Sequence, residues 1–477
     1  METIYLNKHY TLFYLLLAGL FCACSPKQQV AWTSTSPDSG FVEKLPVSFS
    51  DRKDSVNVTV FPDNYLQTID GFGGCFNELG WTTLSALSEA DRKAVVEDLF
   101  GETGMNFTYC RMPVGANDFA RDWYSYNETA NDFEMSHFSI DNDKETLIPF
   151  IHAAQQVNPK LRIWASPWSP PTWMKYNNNY ACRPNPQVNE LAGDPRTDLE
   201  GSNMFIQEPE YFKAYALYFR KFIEAYRKEG IDIEMIAPQN EFNSCQVFPS
   251  CTWTAAGLST FIADYLGPQM KELGVRTMFG TMERGNHLLV DTIMQNNSGS
   301  FISEIGFQWA GKEAIAAIHS AYPDMKLMQS ESECGNGQNT WEYCFYIWNL
   351  MKHYFSNGAA SYMYWNISLD IHSENRWGWH QNSLISVDQE NKTYRYNPEY
   401  YLMKHFSHFV KPGARRIVTE GDFGNMLAFS NPDQSIILIA TNEEQTPRKL
   451  NIQLKDRVLS VTLDAQSINT FTINNYL

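Results

Sequence analysis

The chain has 477 residues, 43% hydrophobic and 19% charged, the balance of a globular protein with room for one large domain and a smaller companion. Its formal net charge is −17, and no Lys/Arg cluster interrupts that acidic excess, which argues against nucleic acid as a partner. Aromatic residues are abundant (13 Trp, 25 Tyr and 30 Phe), and those near strand ends are candidates for stacking on sugar rings.

Lys8 and His9 precede an apolar run from Tyr10 to Ala23, too short to cross a bilayer and shaped like a secretory h-region. Phe21-Cys22-Ala23-Cys24-Ser25 resembles a bacterial lipoprotein cleavage site. Residues 1–24 are therefore expected to be a lipoprotein-type signal. Cys24 is the expected anchor of an exported protein of the cell envelope, at the outer membrane or in the periplasm, and the chain's only membrane contact. Residues 25–52, rich in Ser, Pro, Thr and Gln, read as a flexible tether. In residues 53–68, Ser55–Val60 alternates like a half-buried strand.

From Ile69 to about residue 410 short apolar strands alternate with amphipathic helices. Ser88, with Asp91 three residues on, has the form of a helix cap. Tyr211, Tyr215, Tyr218, Phe219, Phe222 and Tyr226 share one helical face, and Leu258, Phe261, Ile262, Tyr265 and Leu266 share another after Thr254. Strands are predicted at Ile69–Gly73, Asn106–Pro113, Leu161–Ser166, Ile233–Asn240, Arg276–Gly280, Ile305–Trp309, Lys326–Ser330 and Ala360–Asn366. Eight strands with helical material between them make a (β/α)8 TIM barrel the economical reading. Residues 411–477 instead hold short strands broken by turn residues, the pattern of a small antiparallel β-domain.

Two predicted strands end in glutamate, at Asn240-Glu241 and Ser330-Glu331. The C-terminal ends of barrel strands hold catalytic groups, and a facing carboxylate pair is what cleavage of a glycosidic bond requires. Glu333, two residues beyond Glu331, is the alternative nucleophile. Trp164-Ala165-Ser166-Pro167-Trp168 runs into a proline-braced loop where Trp168 and Trp173 offer flat faces. Gly71-Phe72-Gly73-Gly74 lacks the spacing of a phosphate loop and reads as a tight turn crowding the pocket. Of the cysteines, Cys245 and Cys251, like Cys334 and Cys344, lie close enough in sequence to bridge, and neither pair has zinc-ligand spacing. No metal and no cofactor are expected.

The chain from Ile69 to its C-terminus resembles glycoside hydrolase family 30. The likeness is carried by Asp70-Gly71-Phe72-Gly73-Gly74, Arg111-Met112-Pro113, Asn117-Asp118-Phe119, Ala165-Ser166-Pro167-Trp168, Asn240-Glu241, Phe248-Pro249-Ser250-Cys251, Ser330-Glu331, Trp365-Asn366 and His405-Phe406-Ser407. The resemblance implies a (β/α)8 barrel fused to an antiparallel β-sandwich whose first strand precedes the barrel. It implies hydrolysis with retention, Glu241 as acid/base and Glu331 as nucleophile. It also implies that Asp118, Trp168, Asn240 and Trp365 hold the sugar being cleaved, with Arg111 beneath the nucleophile keeping it ionised. Trp309 is a further substrate-contact candidate, and the Arg376–Asn382 loop, which contains Trp379, is expected to touch the leaving group or a neighbouring sugar.

In one place the chain departs from glucosylceramidase-like members. Where they carry His-Trp-Tyr, it reads Gln308-Trp309-Ala310, so the tyrosine that hydrogen-bonds the nucleophile is missing. Tyr362 or Tyr364 are candidates to replace it. The expected substrate is a β-glucoside, such as β-1,6-glucan or a glucosyl conjugate including glucosylceramide. A β-xyloside or β-fucoside is the alternative, and a non-catalytic carbohydrate-binding monomer the competing class.

Overall fold

The computed structural model describes residues 29–51, 55–375 and 377–474. The signal and Cys24 lie outside them. The chain starts with two antiparallel strands, β1 (Gln29–Ser36) and β2 (Ser39–Ser48), followed by β3 (Val58–Thr68). Residues 29–48 are thus a hairpin where the composition suggested a tether. Its first strand buries Val30 and part of Trp32 but continues as Thr33-Ser34-Thr35-Ser36, and it pairs along β20 near the C-terminus, so the non-local partner decides the conformation.

The next eight strands are β4 (Gly71–Cys75), β5 (Tyr109–Pro113), β6 (Arg162–Ser166), β7 (Met235–Ile236), β8 (Arg276–Met282), β9 (Ile302–Gln308), β10 (Lys326–Glu331) and β11 (Ala359–Asn366). They close into a parallel barrel in the order β10-β11-β4-β5-β6-β7-β8-β9. All eight fall within the predicted stretches or shifted from them by a few residues. Tyr109, Trp164, Met235, Ala237, Met278, Met328 and Met363 fill the interior. The helical face predicted from Tyr211 onward forms within helix Pro209–Lys228, which buries Phe212, Tyr215, Tyr218, Phe219, Phe222 and Tyr226 against the barrel. Ser88 caps its helix by accepting the Asp91 N–H.

Gly73 lies within β4 and not in a turn. A Cβ there would stand 1.7 Å from the Tyr109 carbonyl oxygen, so the glycine-rich stretch serves the close approach of β4 to β5.

A small sheet of β12 (Ser368–Asp370), β13 (Ile385–Asp388) and β14 (Thr393–Tyr396) flanks the mouth of the barrel. The C-terminal region supplies β15 (Arg415–Gly421), β16 (Met426–Ser430), β17 (Ile436–Asn442), β18 (Arg448–Leu454), β19 (Arg457–Leu463) and β20 (Ser467–Ile473). With β1, β2 and β3 they form one nine-stranded sheet, order β19-β18-β3-β15-β16-β17-β20-β1-β2, that wraps around its own apolar core. His405 ties the two bodies together: its ring sits between the Thr35 hydroxyl, 3.0 Å away, and the Thr470 hydroxyl, 2.8 Å away. All seven described cysteines are buried free thiols, so the two sequence-adjacent pairs do not bridge.

Candidate active site

The C-terminal ends of the barrel strands open into a cavity of about 470 Å³. Glu331, the last residue of β10, lines it. Met328 on the same strand points into the barrel, so strict alternation would turn Glu331 outward. The register slips between Gln329 and Glu331, and that irregularity returns the carboxylate to the pocket. Glu241 reaches the pocket differently. Strand β7 stops at Ile236, earlier than expected, and the chain turns through Gln239 and Asn240. Glu241 itself is left-handed, with φ of 46°. Its N–H is held by the Thr281 hydroxyl at 3.0 Å, so the neighbouring strand fixes a conformation that a glutamate otherwise avoids.

One side chain joins the two glutamates. The Gln308 Nε2 donates to Glu241 Oε1 at 3.1 Å and to Glu331 Oε2 at 3.2 Å. Those two lengths laid end to end bound the gap between these oxygens, and they fall short of the roughly 6.5 Å where inverting pairs begin.

Arg111, wholly buried, donates to Glu331 Oε2 at 2.7 Å and to Asn240 Oδ1 at 2.7 Å, and its remaining N–H groups go to the Ser166 hydroxyl and the Ser330 carbonyl oxygen. Its cation is sandwiched by aromatic faces, 4.5 Å from the Trp168 centroid and 4.8 Å from that of Trp164. Asn240 Oδ1 also accepts from Thr281 and Gln308. With its oxygen fully engaged, the amide is fixed and its NH2 is the group left for a ligand.

The missing tyrosine is replaced by Trp309, not by Tyr362 or Tyr364. The indole Nε1 donates to Glu331 Oε1 at 3.2 Å. Met363 points into the barrel interior, so its neighbours Tyr362 and Tyr364 face the outer helices, where both hydroxyls are buried without a partner. Trp309 attains this position in the left-handed region, with φ of 48°. Glu333 is no rival to Glu331: its carboxylate is taken by Lys312 at 2.6 Å and by the Tyr346 hydroxyl at 2.5 Å.

Burial raises both carboxyls above their usual range, and at Glu331 the charge of Glu241, when that is ionised, adds to the rise. Arg111 and Trp309 oppose it at Glu331. A pair in this relation holds one proton between them over a wide pH range. Guanidinium and indole donors converge on Glu331 and favour the anion there.

Asp118, Trp168, Asn240, Trp309 and Trp379 all line the pocket. Trp365 does not. It is buried with its ring stacked on Trp168 at 5.3 Å, so it supports the wall from behind. Trp173 packs away from the pocket, its indole bonded to the Asn127 carbonyl oxygen at 3.0 Å. Asp118 keeps an unpartnered buried oxygen, and burial followed by the Glu331 charge pushes its pKa well up, which suits a group that exchanges hydrogen bonds with sugar hydroxyls.

Several lining residues escaped the sequence reading: Gln246, Glu283, Arg284 and Lys312. Glu283 is 1% exposed and neither carboxyl oxygen has a hydrogen-bond partner. Burial above all, with the Glu241 charge whenever that carboxyl is ionised, raises its pKa well above the usual carboxyl range. The signal was its place just after β8, hidden because that strand was expected to end at Gly280 and runs to Met282.

The glycosyl hydrolase family 30 TIM-barrel domain matches residues 69–410, and the family 30 β-sandwich domain matches residues 413–471. A putative glucosylceramidase of Caenorhabditis elegans is 28% identical over 459 residues, covering 89% of this chain and 85% of its own length. An endo-1,6-β-D-glucanase of Neurospora crassa is 25% identical over 428 residues, covering 85% of this chain and 83% of its own. Among solved structures, SrfJ from Salmonella typhimurium superposes with a TM-score of 0.83 at 25% identity, over 94% of this chain and all of that one.

Proposed function

The chain belongs to glycosyl hydrolase family 30 and is a glycosidase, and we propose that it hydrolyses β-glucosides with retention through Glu331 and Glu241. Glu331 attacks the anomeric carbon while Glu241 gives its proton to the departing oxygen, breaking the glycosidic bond. Glu241, now ionised, takes a proton from water, and that water displaces Glu331 from the sugar. The observation that carries this reading is the single Gln308 amide bonded to both carboxylates. Asn240, Asp118 and Trp168 receive the sugar being cleaved, and Arg111 holds the nucleophile ionised and in place.

Glucosidic specificity is supported by the curated relatives, a glucosylceramidase and an endo-1,6-β-glucanase. Of these two substrate classes we propose the glycan, since the wall includes Gln246, Arg284 and Lys312, groups able to bond leaving-group hydroxyls. Export on a lipid anchor at Cys24, proposed from residues 8–25, would place such an enzyme at an external glycan.

The test is product release by the chain lacking residues 1–24 from β-1,6-glucan, glucosylceramide and chromogenic β-glucoside, β-xyloside and β-fucoside. NMR of the first product gives its anomeric form. A β-anomer, abolished by Glu331→Ala, is expected. An α-anomer, or release that survives Glu331→Ala, refutes the mechanism.

A further inference from the structure

A second cavity, of about 500 Å³, opens on the loops that follow β5 and β6. Three aromatic rings surround it. Trp123 and Trp377 lie 5.0 Å apart and inclined by 57°, and Tyr180 stands 6.1 Å from Trp123. Polar groups complete the lining, chiefly Asn178, Asn179 and Glu190. The Trp123 indole Nε1 is buried there with no acceptor. A pyranose has an apolar C–H face for such rings and an edge of hydroxyls for amides, carboxylates and an indole N–H. Among the described residues the charged groups of the lining are Asp122 and Glu190.

This cavity and the catalytic one share a wall. Trp377 lines the first and Trp379, two residues on, lines the second. Asn375 Oδ1 accepts both backbone N–H groups, at 3.1 and 3.0 Å, while its amide donates to the Asp118 carbonyl oxygen at 3.0 Å, so the loop is pinned to the catalytic pocket. From the other side Asn189, which lines the second cavity, donates to the Val247 carbonyl oxygen at 2.7 Å, between the pocket residues Gln246 and Phe248. Trp379 leans on Phe248 at 5.0 Å yet stays 37% exposed, a ridge between the two openings.

We propose that the second cavity is a further saccharide subsite, which takes another sugar residue of the glycan whose scissile unit occupies the catalytic pocket, with Trp379 as the ridge that the chain crosses. This rests on the glycan reading above, and predicts that the enzyme prefers longer chains.

The experiment compares kcat/KM on 4-nitrophenyl β-glucoside with a length series of β-1,6-gluco-oligosaccharides, for the parent, Trp123→Ala and Asn178→Ala. The parent should gain with chain length. Trp123→Ala should lose about tenfold on the longest oligomers, as truncating an aromatic anchor does, and stay within about twofold of the parent on the aryl glucoside. Asn178→Ala should follow in the same direction with a smaller loss. Variants that keep the parent's length dependence overturn the subsite. So does equal loss on both substrate types, which would make the rings structural, or a parent indifferent to length. Hydrolysis of the β-1,6-gluco-oligosaccharides by the parent isolates the premise: with it present, those failures belong to the subsite alone. Without hydrolysis of any β-glucoside, the glycosidic reading and the subsite fall together.

Discussion

Trp309→Phe removes one hydrogen-bond donor from the nucleophile and leaves an aromatic wall in the pocket. The indole bond to Glu331 is 3.2 Å long and ends on a charged oxygen, the class of bond worth about 1.5–3 kcal/mol. At about 1.36 kcal/mol per pH unit, its loss raises the Glu331 pKa by one to two units, with the lower end expected because other donors remain. Those donors are Arg111 and Gln308. The sign is fixed by chemistry: Glu331 attacks as the anion, so a higher pKa moves the acid limb of the kcat/KM profile upward. Below that limb the variant should fall about tenfold, and above it should change little, since the carboxylate is ionised there in both proteins. The assay is the pH profile of chromogenic β-glucoside hydrolysis, with the melting temperature checked at each pH. An acid limb that stays in place, or moves down, would refute the claim that the indole substitutes for the tyrosine. A uniform loss at all pH values would assign Trp309 to substrate binding alone.

Glu283→Gln tests the third carboxyl. Because burial pushes the Glu283 pKa well up and so favours its neutral form, the amide should leave the basic limb where it is. Were Glu283 ionised, it would be holding the Glu241 pKa up, and its removal would shift that limb to lower pH. His405 makes stability depend on pH. Burial lowers its pKa to about 3, below the unfolded value near 6.5, so the native state refuses a proton that the unfolded chain accepts. Stability from this group is full above pH 6.5 and falls with acidity by about 1.4 kcal/mol per unit. Urea titrations of His405→Gln should therefore show a start from lower stability at pH 7 but a loss smaller by about 2–3 kcal/mol between pH 6.5 and 4.5; parallel slopes would contradict this. Gly73→Ala should destabilise by more than about 4 kcal/mol or prevent folding, because its Cβ would overlap the Tyr109 carbonyl in a wall with no room to yield. A well-folded variant, by circular dichroism, would show that β4 and β5 can part.

The barrel was legible in the sequence because its strands carry a local mark: a short apolar run, buried on both faces and followed by a helical period. Glu331 was legible for the same reason, as the last residue of an apolar run, whereas Glu241 and Asn240 lie beyond the end of β7, and their roles, like the sugar-binding role expected of Trp168, were picked out through the family resemblance. The hairpin at Gln29–Ser48 was not legible, because Ser- and Thr-rich strands look like linkers until a partner is known. Here that partner is β20, more than four hundred residues away.

Direction of side chains was the other thing that only the tertiary structure decided. Tyr362 and Tyr364 differ from Met363 and Trp365 only in strand parity, and parity is set by how the barrel closes. The register slip before Glu331 and the left-handed backbone at Glu241 and Trp309 have no local signature, since each is imposed by the neighbouring strands. The sequence by itself determined the eight barrel strands and put two glutamates near the C-terminal ends of two of them, because short apolar runs need only local patterning to be placed. Which groups surround those glutamates was decided by closure of the barrel, because Arg111, Gln308 and Glu283 come from three separate strands and meet only when the sheet returns on itself.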